Sequence, residues 1–139
     1  MYDWLRTITA DIHVVAGDLD EMSTDFPVTK TVTIGSFKIG LAHGHTVVPW
    51  GDKEALAILQ RKLDCDVLIS GHSHKFEAYA HQGAFFMNPG SATGAYSATH
   101  GSTEPTFVLM DIDDSSITSY VYRLKDDDVQ VEKIDYTKN

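Results

Sequence analysis

One cysteine and few basic residues set the first limits on this 139-residue chain. With Cys65 alone, no intramolecular disulfide can form. Its place in the apolar run Cys65-Asp66-Val67-Leu68-Ile69 predicts a buried, inert thiol in a reducing, cytosolic setting. Lys and Arg number 11 against 20 Asp and Glu, a formal charge of -9. No stretch gathers the basic residues that a phosphate backbone requires, so nucleic acid is not an expected partner. Long apolar runs are missing too: nothing approaches the roughly 18 uninterrupted apolar residues of a membrane span. Asp3, Arg6, Asp11 and His13 interrupt the N-terminal stretch, where a signal peptide needs an apolar core. Any membrane association is therefore expected to run through a partner.

What is present reads as one domain over residues 1–139, with 42% hydrophobic residues and a mean hydropathy of -0.17. Met1 to Thr9 has the pattern of a helix end, and Ile12-His13-Val14-Val15 that of a short buried strand before the turn Gly17-Asp18. Two alternating runs, Thr31 to Ile34 and Phe37 to Leu41, flank Gly35-Ser36 as a hairpin does. Asp52 is placed to cap a helix reaching Leu63, whose Leu56, Leu59 and Leu63 form an apolar stripe widened by Ala55 and Ile58. The strand Val67 to Ser70 follows, giving the strand, helix, strand order of an α/β layer. Beyond Lys75 the pattern turns to β: Phe76 to Ala80, Ala84 to Met87, Phe107 to Ile112, Ile117 to Leu124 and Val129 to Ile134. Ser91 to Pro105 is the one long connection, a length at which ordered loops are often functional.

Three groups of potential metal ligands fall where predicted strands give way to loops: Gly17-Asp18-Leu19-Asp20, His43-Gly44-His45 and Gly71-His72-Ser73-His74. In open α/β sheets, ligands bind beyond the carboxyl ends of strands, so three such ends can converge on one site. Glycine permits the tight turn, and a His pair two residues apart can aim its imidazoles at neighbouring metal positions.

These blocks resemble those of the calcineurin-like metallophosphoesterases. That superfamily carries D-x-H, G-D-x-x-[DN], G-N-H-[DE], a later His and G-H-x-H in order, and this chain resembles the last three. The resemblance implies an α/β fold, a two-layered metallophosphoesterase-like β-sandwich flanked by helices. It also implies that Asp18, His43 and His72 are ligands of one metal and His74 of another. Longer stretches, Lys38 to His45 with Pro49 to Asp52, Leu68 to Ala78, Asn88 to Tyr96 and Phe107 to Ile112, resemble the retromer-subunit branch of the superfamily across essentially the whole chain.

Two departures bear on chemistry. Where phosphoesterases place a His beside the metal-bridging Asn, this chain has Leu19. Leucine cannot protonate a leaving group, a role worth about 10²- to 10⁴-fold in rate. Asp18 in place of that Asn adds a negative charge opposing an anionic phosphate. The first two blocks, and with them the first βαβ unit, are not found ahead of Gly17, so we expect at most one weakly held divalent cation, zinc or manganese. The same reading expects a strand edge left open, and a chain of marginal stability unless a partner covers it. Asp11-Ile12-His13 is no substitute for the first block, because a whole strand length separates it from Asp18.

In retromer, the corresponding subunit is held by the α-solenoid subunit, vacuolar protein sorting-associated protein 35, through the face carrying the metal loops. The resemblance therefore implies a partner surface of His45, Val47, Val48, Pro49 and Trp50, alongside the metal residues. On the β-rich end it implies an apolar patch of Leu109, Tyr120, Tyr122, Val129 and Val131 that recruits regulatory proteins. The expected role is a non-catalytic scaffold in endosome-to-Golgi retrograde transport, in the cytoplasm and peripheral to the endosome membrane. A weak metal-dependent phosphoesterase is the alternative.

Overall fold

The computed structural model describes residues 2–19, 25–96 and 104–138. A helix, α1 (Tyr2–Ile8), comes first. The expected strand over Ile12 to Val15 does not form; residues 11–17 carry no regular secondary structure, and the Ala16 N–H donates to the carbonyl of Pro27 at 2.8 Å. An apolar, β-branched run becomes a strand only where another strand offers it an edge, and β-propensity alone cannot supply one.

The hairpin expectation holds. β1 (Thr29–Ile34) and β2 (Phe37–Ala42) pair antiparallel across Gly35-Ser36, with Gly35 at φ +57°. Helix α2 (Lys53–Leu63) follows, capped by Asp52, whose Oδ2 accepts the Ala55 N–H at 2.9 Å. It leads into β3 (Val67–Ile69), β4 (Phe76–His81) and β5 (Ala84–Pro89), and together these strands form a five-stranded sheet in the order β1-β2-β3-β5-β4. β6 (Thr106–Ile112), β7 (Ser116–Lys125) and β8 (Asp128–Thr137) form an antiparallel three-stranded sheet.

Successive residues of a strand face opposite ways, and here each direction meets its own core. Leu68, Ala84 and Phe86 pack with Leu56, Ala57 and Cys65 from the α2 side. Val67, Phe85 and Met87 turn the other way and pack with Phe37, Ile39 and Ile117 between the two sheets. Of the helical stripe, Leu56, Leu59 and Leu63 point inward, but Ile58 is 60% exposed and belongs to the surface. The end of the chain is tied back to the first sheet: Lys138 Nζ donates to Asp66 Oδ2 at 3.1 Å and to the Ser36 carbonyl at 2.7 Å.

Two buried hydroxyls, those of Tyr79 and Ser119, have no hydrogen-bond partner among the described residues. The Ser119 side chain is fully buried on the inner face of β7, and its hydroxyl makes no hydrogen bond. A hydroxyl desolvated without compensation costs roughly 1–3 kcal/mol. Ser119→Ala is therefore expected to raise unfolding free energy in urea by about 1 kcal/mol; a loss of stability would mean the hydroxyl is satisfied in solution.

Candidate metal centre

β2, β3 and β5 run parallel, with Leu41 opposite Ile69 and Ile69 opposite Met87, so their carboxyl ends stand level. Just beyond the first two ends are His43 and the Gly71-to-His74 turn, and Asn88 is the penultimate residue of β5. Two glycines bring the first two loops into contact. Gly71 N–H donates to the His43 carbonyl at 2.8 Å, and a Cβ on Gly44, itself at φ +104°, would lie 3.0 Å from the Gly71 oxygen. His43 and His72 are side by side because these backbones touch; their ring centroids are 5.2 Å apart.

Asp18 completes the group. Ligand atoms of Asp18, His43 and His72 all lie within 4.8 Å of one another. A tetrahedral ion at about 2.1 Å from each ligand would hold them about 3.4 Å apart, so side-chain closure of roughly 1 Å would seat one. The donor set of one carboxylate and two imidazoles suits zinc or manganese. Asp20 lies outside the described residues. His74 stands apart from the three: its Nδ1 lies 3.2 Å from the carbonyls of both Ala95 and Tyr96, which can only accept, so the proton sits on Nδ1 and the Nε2 lone pair is left for a ligand role. Asp11 and His13 pair with each other at 3.1 Å and take no part in the group.

His72 (φ +75°) and His74 (φ +62°) both hold the left-handed backbone conformation, a strain of order 1–3 kcal/mol each that surrounding structure must offset. Asn88 does much of this. Its Nδ2 donates to Ser73 Oγ at 2.9 Å and to the Gly71 carbonyl at 3.3 Å, while its Oδ1 accepts from Gly90 N–H. Sequence reasoning missed Asn88; the signal was a polar residue closing an otherwise apolar strand before Pro89-Gly90.

Burial pushes the His43 pKa down, and the imidazoles of His45, His72 and His74 add to this against the opposing carboxylate of Asp18. At neutral pH His43 is thus the uncharged imidazole that a metal requires. The unfolded chain then takes up the proton first as pH falls, since its His titrates near 6.5. His43 stabilises the fold fully above that pH and progressively less below it. In chelator, melting temperature is expected to fall from pH 7 to pH 5, with a shallower fall in His43→Gln; an unchanged slope would contradict the assignment.

Of the residues expected to form a partner surface on the loop after His43, one is buried. Val47 is only 7% exposed and belongs to the core beside Leu56, whereas Val48 is 75% exposed. Trp50, 54% exposed, donates from Nε1 to the His45 carbonyl at 3.0 Å. Val48, Ile58, Leu59 and Lys62 line a groove of about 350 Å³ along α2. At the other end, strand register places Phe107, Tyr122 and Val131 in one row and Leu109 beside Tyr120 on the outer face of the three-stranded sheet. Phe107, Leu109, Leu124, Val129 and Val131 are exposed there, and Phe107 stacks on Tyr122 at 4.9 Å. Val129 and Val131 are surface residues and not sandwich core. Phe107 and Leu124 extend the patch beyond what the sequence reading named.

The calcineurin-like phosphoesterase superfamily domain matches residues 1–115. The chain is 46% identical over 142 residues to vacuolar protein sorting-associated protein 29 (Vps29) of Schizosaccharomyces pombe, covering 99% of this chain and 75% of that protein. It belongs to the Vps29 family of that superfamily. Among solved Vps29 structures, the zinc complex from Entamoeba histolytica is 54% identical with a TM-score of 0.90, covering 96% of this chain and 74% of that one. Chaetomium thermophilum Vps29 in complex with a cyclic peptide is 42% identical with a TM-score of 0.84, covering 99% and 73%. The retromer-subunit resemblance and the metallophosphoesterase fold read from the motifs are both borne out.

Proposed function

We propose that this Vps29-family chain serves retromer as a scaffold and not as an enzyme, working in endosome-to-Golgi transport from the cytosolic face of the endosome membrane. The observation that carries this reading is the loop between His43 and α2. It projects Val48 and Trp50 outward beside an apolar groove, on the same face as the candidate metal residues. Such a patch suits a helix of an α-solenoid, the retromer subunit Vps35, whose apolar side chains would fill the groove. The outer face of β6, β7 and β8, with Phe107, Leu109 and Val131 exposed on it, is the second contact surface, for regulatory proteins.

Against catalysis stands Leu19, 89% exposed in the turn that bears Asp18. A divalent cation held by Asp18, His43 and His72 would supply Lewis-acid polarisation, and a zinc complex of the Entamoeba relative is in keeping with such binding. Leu19 offers no proton to a leaving group at the position where the superfamily places a His. In a manganese-supplemented assay on an aryl phosphodiester, we expect no turnover above metal alone. Turnover abolished by His74→Ala would overturn the scaffold reading in favour of a weak phosphoesterase. Co-purification with the solenoid subunit tests the scaffold role itself.

A further inference from the structure

Trp50 lies where the two halves of this face meet. Its indole packs edge-on against the His72 imidazole, centroids 4.3 Å apart at an interplanar angle of 77°. Its Nε1–H donates to the His45 carbonyl, and His45 Nδ1 is 3.1 Å from His43 Nδ1. One exposed side chain thus touches one candidate ligand directly and braces a second through His45. Neighbouring Val47 pins the same loop into the core, leaving Val48 as the projecting residue.

We propose that Trp50 is a positioning residue for the metal held by Asp18, His43 and His72, so that metal loading and the pose of the exposed loop 46–51 are one coupled equilibrium. The proposal rests on the metal reading of those three residues. His72 sits in a left-handed conformation, so local backbone preference does not hold its ring in place and packing must. Trp50 supplies that packing. Outer-shell contacts of this kind orient metal-bound imidazoles, and their removal typically lowers metal affinity about 10- to 100-fold. The coupling runs both ways. An imidazole bound to a cation becomes electron-poor, which strengthens its attraction to an indole π system. A metal that favours one Trp50 pose is in turn favoured by that pose, by the reciprocity of linked equilibria.

Trp4 and Trp50 are the only tryptophans, so Trp4→Phe leaves Trp50 as sole reporter. Zinc titrated into that variant is expected to change Trp50 emission with the midpoint found by calorimetry on the same protein. Trp50→Ala in the native chain is expected to bind zinc 10- to 100-fold more weakly, and Trp50→Phe, which keeps the ring contact but loses the hydrogen bond, less so. Calorimetric binding with flat Trp50 emission, or with both variants as tight as the parent, overturns the proposal. Absence of any zinc heat in the native chain removes the metal reading as well, and the calorimeter alone identifies that outcome.

Discussion

Val48→Asp is expected to weaken binding to the solenoid subunit by at least about 30-fold while leaving the melting temperature unchanged. An apolar anchor at an interface centre contributes about 2 kcal/mol or more, and a carboxylate buried there without a partner adds a desolvation cost. The fold is spared because Val48 is exposed and outside both cores. Its neighbour makes the control: Val47→Asp would place the same charge against Leu56 and Leu68 and should unfold the domain. Surface plasmon resonance paired with thermal unfolding reads both effects. A Val48→Asp protein that binds normally would move the docking surface elsewhere.

The second large effect is on stability. Phe37 is fully buried where the two sheets meet, among Ile39, Val67, Phe85, Met87 and Ile117, with the Tyr136 ring at 6.4 Å. Truncating a core phenylalanine costs about 3–5 kcal/mol through lost transfer energy and the cavity left behind. For a domain this size that lowers the melting temperature by on the order of 10–20 °C. Phe37→Ala should therefore loosen the packing of the three-stranded sheet on the first. A drop of only a few degrees would mean that the inter-sheet core does not bear the stability assigned to it.

Much of this was legible in the chain. Residues at strand ends announce themselves, because an apolar run stops at a ligand-bearing turn; three such groups were read that way, the resemblance singled out Asp18, His43 and His72 among them, and the structure brings their ligand atoms together. The hairpin at Gly35-Ser36 and the Asp52 cap are local features, set by backbone chemistry within a few residues. What escaped depends on partners distant in sequence. Ile12 to Val15 has strand composition but pairs with no strand among the described residues. Val47 and Val48 differ by one position in a loop, where no periodicity says which faces inward. Phe107 and Leu124 enter the sheet patch only once register sets them beside Tyr122 and Val129. Asn88 gains its role from a turn fifteen residues earlier in the chain.

The scaffold role is tested most directly by titrating the whole chain into the purified solenoid subunit in the presence of a chelator. A saturable complex of one copy with one, lost in Val48→Asp, is the predicted result. A folded chain that forms no complex, with or without metal, would contradict it.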